Sequence, residues 1–578
     1  MPPKASQKQN FLQGALILSA ATALVKVIGA LFKIPLSNLI GSEGMGLFTV
    51  AYNIYATLFV ISTAGLPVAV SKMVSEAGAH RRLKEARAIF RIALLCFVVI
   101  GAVGSLFLFF GAPVIAVWMH NPDVEPVVRA IAPAVLFVAV MSAFRGYYQG
   151  QGNMLPTAVS QVIEALCKLG IGYVLASMMF NAFLAAPLSE SSQARVARMA
   201  TQIIKDAAEQ GKVLTTEAAT AAATKSLAGM AAAPWAIVGI SIGAVLGAVY
   251  LLIRFRRQKI SPSASVSPIV RPNGELLGKL LRLAIPVTIS SSVLSLTNLI
   301  DSSLVMGRLQ SAAGYTLETA QSAYGAYTYA QTLFNLPPAF ILTVSVSIIP
   351  ALSVALAKKD HKGAHQTISS SLRVTSLLAL PAAAGLIALS FPILNLLYYS
   401  SENAAAVTTA APLLNTLGFA VPFVCLVSLT NAILQSMGLV SLPILTMLAG
   451  GACKIGVNYV LVGNPSVNIG GAPMGTLACY AVIAILNLFF IIRFTRSARF
   501  LGVFIKPVFA SALMGAFAYG VNVLLAGPLG LGARLSVIGA VAASVVFYLL
   551  LIFFLKALPK EDLALLPKGE KLAKWLKL

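Results

Sequence analysis

The sequence contains few charged residues, and acidic residues are the scarcest of them. Only 10% of its 578 residues are Asp, Glu, Lys or Arg, whereas 58% are hydrophobic. A water-soluble domain has about 25% charged residues, so this composition excludes a soluble enzyme or a soluble binding module. The mean hydropathy of +0.87 indicates a protein whose solvent is lipid.

Cysteine, histidine and the usual catalytic motifs are also rare. The five cysteines all lie in apolar segments and form no CxxC pair, so we interpret them as small core residues. His361 and His365 stand in a basic stretch, 358–373, with Asp360 as the nearby acid, which predicts a solvated loop rather than a metal site. Since no nucleophile-and-base set stands out, an enzyme acting on a membrane lipid is the weaker alternative.

Apolar windows of helical length recur along the chain. A helix needs about 20 apolar residues to cross a bilayer, and each spanning segment must satisfy its own backbone amides. We therefore predict an all-α membrane protein with about fourteen transmembrane helices. Most of the 42 Lys and Arg residues, Arg145 among them, fall in alternate connections that we assign to the cytoplasmic side, which predicts cytoplasmic termini. The net charge of +24 then orients the protein and does not require nucleic acid.

The two halves of the chain share a repeated pattern. GYYQGQGNMLPTAVSQVIEALCKLGIGYVL (146–175) resembles NAILQSMGLVSLPILTMLAGGACKIGVNYVL (431–461). At a constant offset of 286 residues the matched pairs are Gln149 and Gln435, Gly152 and Gly438, Lys168 and Lys454, Gly170 and Gly456, and Tyr173 and Tyr459. An offset of six predicted helices makes the halves parallel repeats, an arrangement that transporters use with the substrate between the lobes.

The repeat predicts two six-helix lobes followed by two extra helices. The predicted segments are a cytoplasmic N-terminus (1–10), lobe one with helices one to six (11–253) and an extracytoplasmic insertion (182–231), a cytoplasmic inter-lobe loop (254–279), lobe two with helices seven to twelve (280–492), helices thirteen and fourteen (504–555), and a basic tail (556–578). The tail is either an amphipathic cytoplasmic surface helix or a solvated one.

Ionisable residues inside predicted spans are the candidate functional residues, because each is costly in hydrocarbon. Lys26 and Lys33 are seven residues apart and share one helix face. With Lys72 in the second helix, they form a cationic compartment that has no acid at its level. Such a compartment suits an anion, and pyrophosphate in particular, because lysine binds phosphate as a point charge.

The other intramembrane charges have candidate partners. Glu164 and Lys168 are four residues apart and predict an ion pair within the bundle. Lys454 lacks an acid at the matching position, and Asp301 on the seventh predicted helix is one candidate partner. Proline and glycine predict hinges, and these positions are Pro35, Gly65, Pro67 and Pro350.

Two stretches resemble a known family. They are FLQGALILSAATALVKVIGALFKIPLSNLIGSEGMGLFTVAYNIYATLFVISTAGLPVAVSKMVSE (11–76) and YGAYTYAQTLFNLPPAFILTVSVSIIPALS (324–353). They look like the polysaccharide-biosynthesis branch of the MOP superfamily, which contains MurJ-type lipid II flippases and stage V sporulation protein B. The run AGLPVAVSKMVSE is the most specific part.

The resemblance implies a MATE-like flippase of the bacterial inner membrane, not an enzyme. It would move an undecaprenyl-pyrophosphate-linked cell-wall precursor, lipid II for peptidoglycan synthesis above all, from the inner to the outer leaflet by alternating access. Lys26, Lys33 and Lys72 match the family's basic cavity positions, with lysine where arginine is familiar. The resemblance implies no cofactor but leaves room for coupling to Na⁺ or to the membrane potential. Asp301, with Asn458 and Thr476, could then supply oxygen ligands to a cation.

Other readings stay open within the same superfamily. A multidrug or cation exporter would favour buried acids over lysines, and export of another lipid-linked polysaccharide would use the same anionic head group. The expected partners are a polyprenyl-pyrophosphate-linked glycan, membrane lipids and cell-wall synthesis enzymes.

Overall fold

The structure is a computed structural model that describes most of the chain. It describes residues 6–557 apart from 64, 80–81, 210–212, 259–271, 342–351, 353–359, 400–402, 440, 496–498, 529 and 556. All regular secondary structure in this part is helical, which confirms the predicted all-α fold. The predicted basic tail and the hinge at Pro350 lie outside the described residues.

The chain divides into two compact units. Unit 1 comprises Met1–Gly307 and Tyr315–Gly325, and unit 2 comprises Arg308–Gly314 and Ala326–Leu578. The predicted lobe boundary at 254–279 stays a prediction, since 259–271 are outside the described residues.

Long helices build unit 1. They are α1 (Ser6–Thr63), α2 (Gly65–Ala79), α3 (Leu83–Trp118), α4 (Val124–Gly150), α5 (Leu155–Cys167), α6 (Tyr173–Ala185), α7 (Glu190–Glu209), α8 (Thr216–Arg257) and nearly all of α9 (Asn273–Ser311). A π-helical turn, Lys168–Gly172, joins α5 to α6. Helix α10 (Leu317–Phe334) starts in unit 1 and continues into unit 2.

Unit 2 is built in the same way. Its further helices are α11 (His361–Ala388), α12 (Ser390–Tyr398), α13 (Ala404–Ser436), α14 (Ser441–Val462), α15 (Gly471–Thr495), α16 (Ile505–Ala526) and α17 (Ala533–Phe554). Helix α11 begins at His361, where the Asp360 side chain accepts a hydrogen bond from the Gly363 amide (2.9 Å). The basic stretch predicted as a loop therefore starts a helix, because Asp360 provides an N-cap.

Many helices have the length and composition of membrane spans. In the described part of the chain, 11 helices are long and apolar enough to cross a bilayer. Helix α1 consists of two helical segments that meet at a kink, where Gly41 is non-helical (φ 70°, ψ −175°). Pro35, the predicted hinge, lies inside the helix. The kink forms at Gly41 because a positive φ favours glycine, whereas the φ of proline is compatible with a helix.

Matched turns support the internal repeat. Helices α4 and α13 are followed by Gly152 and Gly438, at φ +75° and +81°. The amide of Gly152 donates to the carbonyl of Gln149 (2.9 Å), and that of Gly438 donates to the carbonyl of Gln435 (3.0 Å). Both repeats thus end the same helix with the same left-handed glycine turn.

The insertion folds into a helical hairpin. Its first part is α7, and its second part is the start of α8, which has 42 residues. At 1.5 Å per residue α8 is about 63 Å long, roughly twice the thickness of the bilayer core, so it projects beyond the membrane. Buried apolar residues hold the hairpin together, namely Val196, Met199, Ala200, Ala219, Ala223 and Leu227.

Candidate functional site

Lys168 begins the π-helical turn of unit 1. Gly172 and Gly239 lie in direct backbone contact, and a Cβ on Gly172 would come within 2.8 Å of the Ala236 carbonyl oxygen. The turn therefore packs closely on α8, and glycine is required there. A π-helical turn inside an α-helix often marks a functional site.

The ammonium of Lys168 lies against aromatic rings of α1. Its Nζ is 4.5 Å from the ring centre of Tyr52, 5.7 Å from that of Phe32 and 5.8 Å from that of Phe48. Phe32 and Phe48 are buried. Cation–π attraction of this kind stabilises a desolvated ammonium without adding a negative charge.

Lys33 brings a second positive charge to the same region. It follows Phe32 on α1, it is half-buried, and its charge repels that of Lys168. Lys26 lies on α1 too, but its side chain is outside the described part of the structure. Unit 1 therefore contains a cationic, aromatic-lined region, formed by Lys33 and Lys168 with the rings around Lys168.

Glu164 attracts Lys168 electrostatically, but the contact that the structure describes for its carboxylate is with Arg145. Glu164 Oε2 accepts instead from Arg145 Nη2 on α4 (3.1 Å), and Arg145 Nε donates to Ser160 Oγ (3.0 Å). The side chain of Arg145 is only 11% exposed, so it belongs to the interior and not to the cytoplasmic charges. Its guanidinium satisfies two groups of α5 at once, which the lysine ammonium four residues along the same helix does not do.

Lys72 lies apart from the Lys33–Lys168 region in the contacts that the structure describes. It is exposed on α2, and the nearby Glu76 pairs with Lys279 (Nζ to Oε2, 2.6 Å). Gly65, a predicted hinge residue, donates its amide to Thr288 Oγ1 (3.2 Å). A Cβ at Gly65 would overlap the backbone of α9, so the glycine permits a close helix contact there.

The predicted cation-binding residues divide between the two units. Lys454 and Asn458 are buried one turn apart on α14, and Thr476 is buried on α15. Thr476 Oγ1 is 3.1 Å from the hydroxyl of Tyr327. Asp301 is buried in unit 1, so its pairing with Lys454 and its part in a cation site stay predictions.

Sequence reasoning missed two residues of this region. Arg145 was assigned to the cytoplasmic side because it stands near the end of a span. Tyr52 gave no signal, because an aromatic residue in an apolar helix is ordinary. Its position four residues after Phe48, one helical turn along, was the available clue.

Two families match the chain. The family described as polysaccharide biosynthesis protein matches residues 11–206, and the family described as MatE matches residues 286–460. Among solved structures, an inward-facing multidrug resistance MATE family transporter of the MOP superfamily has a TM-score of 0.62 at 12% identity, covering 82% of this chain and 97% of that one. The chain is thus similar in sequence and in fold to proteins of the MOP superfamily. Its apolar helices and these relatives indicate a multi-pass membrane protein.

Further proteins match over most of their length. The lipid II flippase MurJ in an inward closed conformation has a TM-score of 0.62 at 13% identity, covering 93% of this chain and 98% of that one. The uncharacterized membrane protein YabM of Bacillus subtilis (strain 168) is 27% identical over 98% of this chain and 96% of its own length. The stage V sporulation protein B of the same organism is 24% identical over 97% of this chain and 98% of its own length. The lipid II flippase MurJ of that organism is 26% identical over 78% of this chain and 77% of its own length.

Proposed function

We propose that this MOP transporter flips a polyprenyl-pyrophosphate-linked cell-wall precursor, lipid II in the first place, from the inner to the outer leaflet by alternating access. Its relatives include proteins named as a lipid II flippase and as a sporulation protein, which supports a lipid-linked glycan as cargo. The bacterial cell membrane, cytoplasmic termini and an external insertion belong to the same proposal.

The observation that carries the proposal is the pair of lysines in unit 1. Lys33 and Lys168 bring two positive charges together, and the nearby carboxylate of Glu164 is already paired with Arg145. The two ammoniums thus keep an excess of positive charge for an anionic ligand. A pyrophosphate supplies several negative charges in a compact group, which lysine binds as a point charge.

The proposal also includes Lys26 and Lys72. Lys26 lies on α1, two turns before Lys33, whereas Lys72 stands on α2. We assign Lys72 to capture of the head group at the mouth of the site, because its side chain is exposed. The lipid tail stays in the bilayer while the head group crosses.

The test is flipping in liposomes that contain the purified protein and fluorescent lipid II. We expect the wild-type protein to expose lipid II to the opposite leaflet, and Lys26→Ala or Lys33→Ala to lose most of this activity. Lys84→Ala is the matched control, because Lys84 is exposed at the start of α3. Correctly inserted protein that leaves lipid II in place would overturn the lipid II assignment.

Further arms of the experiment separate the alternatives. A teichoic or capsular precursor in place of lipid II tests another lipid-linked polysaccharide, and a cationic dye tests multidrug export. The same flipping measurement with a Na⁺ gradient, or with an imposed membrane potential, tests the two predicted driving forces. Transport of the dye without flipping of any lipid would favour the multidrug exporter.

A further inference from the structure

The insertion hairpin is joined to the rest of unit 1 by a compact polar cluster. Arg195 on α7 donates from Nη1 to Asp123 Oδ1 (2.8 Å) and from Nη2 to Asp123 Oδ2 (2.5 Å). Asp123 stands in the connection between α3 and α4. A two-pronged arginine–carboxylate contact of this kind fixes both position and orientation.

A second helix joins the same carboxylate. Gln321 Nε2 donates to Asp123 Oδ2 (2.9 Å) and to Asn121 Oδ1 (2.8 Å). Gln321 is 2% exposed and Asn121 is 3% exposed, so these bonds form away from water. We call Asn121, Asp123, Arg195 and Gln321 the clasp.

Burial and hydrogen bonding shift the pKa of Asp123, the carboxylate of the clasp, in opposite directions. Burial by itself raises the pKa of Asp123, but the hydrogen bonds from Arg195 and Gln321 and the charge of Arg195 bring that pKa below its ordinary value. The same contact raises the pKa of Arg195. Asp123 is therefore ionised, and Arg195 charged, at neutral pH.

The helix that bears Gln321 is tightly packed on α1 next to the clasp. Ser42 Oγ is 3.4 Å from Ser322 Oγ. A Cβ added to Gly325 would overlap the backbone of Ser42, and one added to Gly46 would come within 3.2 Å of the Gln321 carbonyl oxygen. The start of α10 thus touches the backbone of α1 just beyond the kink at Gly41.

The clasp holds a helix that belongs to both units. Residues of α10 up to Gly325 are part of unit 1, and those from Ala326 are part of unit 2. The clasp ties the start of α10 to the connection between α3 and α4, and α4 itself packs on α1. Separation of the start of α10 from these helices therefore requires the loss of the Gln321 bonds to Asp123 and Asn121, and Arg195 of the insertion holds Asp123 in place.

We propose that the insertion is a conformational lock. Arg195 holds Asp123, and Asp123 in turn holds Gln321, so that the start of α10 stays on α1. The transporter opens on the face that carries the insertion only after the clasp is released. The hairpin brings Arg195 to Asp123 because its own apolar cluster fixes α7 on α8. The lock does not depend on the proposed cargo, because it applies to any substrate that leaves on the face that carries the insertion.

Cysteine cross-linking between α1 and α10 tests the lock. Ser42→Cys and Ser322→Cys are introduced together into full-length protein whose five native cysteines, all free thiols, are replaced by alanine. Because the two serine oxygens are 3.4 Å apart, we expect rapid disulfide formation when the clasp is closed. Adding Arg195→Gln or Asp123→Asn should slow cross-linking at least fivefold.

Arg198→Gln is the matched control, because Arg198 is exposed one turn along α7. It should cross-link at the parental rate. Gel filtration and thermal melting establish that each variant is folded, and Asp123→Asn keeps the side-chain shape should Arg195→Gln fail to fold. Parental cross-linking rates in folded Arg195→Gln and Asp123→Asn would overturn the lock. The measurement uses no lipid substrate, so its outcome is independent of the flipping test.

Discussion

The ammonium of Lys168 lies 4.5 Å from the ring centre of Tyr52, on a turn whose preceding helix carries Glu164. Aromatic faces stabilise the lysine without neutralising it, while Arg145 engages the carboxylate of Glu164. Arg145 and Glu164 thus form an ion pair between two helices, whereas the charge of Lys168 is available to a ligand. This separation is the basis of the first two predictions.

Replacing Lys168 should impair flipping more than it impairs folding. Lys168→Met keeps the length of the side chain but removes the charge, and we expect the flipping rate to fall about tenfold or more, the size of one charged contact. Lys168→Arg should retain most of the rate. Lipid II flipping in liposomes measures both, with Lys84→Met as the control. A wild-type rate in Lys168→Met would remove Lys168 from the substrate site.

Breaking the Arg145–Glu164 pair should instead reduce stability. Arg145→Met leaves a partly buried carboxylate unpaired, and we expect a loss of about 2 kcal/mol, seen as a lower thermal midpoint in detergent. The double variant with Glu164→Met should recover part of the loss. For comparison, Arg129→Met breaks a more exposed pair with Glu125, worth about 0 to 1 kcal/mol. Simple additivity of the two Arg145 and Glu164 substitutions would contradict an interacting pair.

The close contact of α10 with α1 should not tolerate one methyl group. Gly325→Ala places a Cβ on the backbone of Ser42, and we expect a loss of about 1 to 3 kcal/mol and slower cross-linking between positions 42 and 322. Gly456→Ala is the control, because a Cβ there meets open space and a helical alanine is favourable. Equal thermal midpoints for the two variants would argue against the contact.

The clasp should be insensitive to pH near neutrality. The pKa of Asp123 is lowered in the folded protein. The stabilisation that its ionised carboxylate gives to the clasp is therefore fully present above the ordinary Asp pKa, and it is lost as the pH falls through the lowered value. At each pH the cross-linking rate is divided by that of the Asp123→Asn variant, because disulfide formation itself depends on the thiolate fraction. This ratio should be constant from about pH 5 to pH 8 and should fall below about pH 4.

Other ionisable groups near the clasp provide the controls for that titration. Glu318 interacts with Arg195, and Glu125 pairs with Arg129. His120 precedes Asn121 in the chain, so His120→Gln shows whether any pH dependence of the cross-linking rate comes from that side chain. Retention of the acid transition in Asp123→Asn would assign the transition to another group.

Local patterns predicted much of the fold. Hydropathy predicted the helices, and the matched pair of Gly152 and Gly438 was visible in the sequence because a glycine turn is set by nearby residues. The direct contact of Glu164 could not be predicted for a physical reason: Lys168 satisfies the helical spacing, whereas Arg145 is 19 residues away on another helix. Contacts between helices depend on packing, which helical spacing alone does not determine. The same holds for Arg195 and Asp123, which are 72 residues apart.

Helix α8 joins the hairpin to a basic end. It runs from Thr216, in the hairpin, to a last turn that carries Arg254, Arg256 and Arg257. Between these two ends lies a stretch that is long and apolar enough to cross a bilayer. The second half of the hairpin is thus an extension of a spanning helix, and the hairpin and the three arginines belong to one element about 60 Å long.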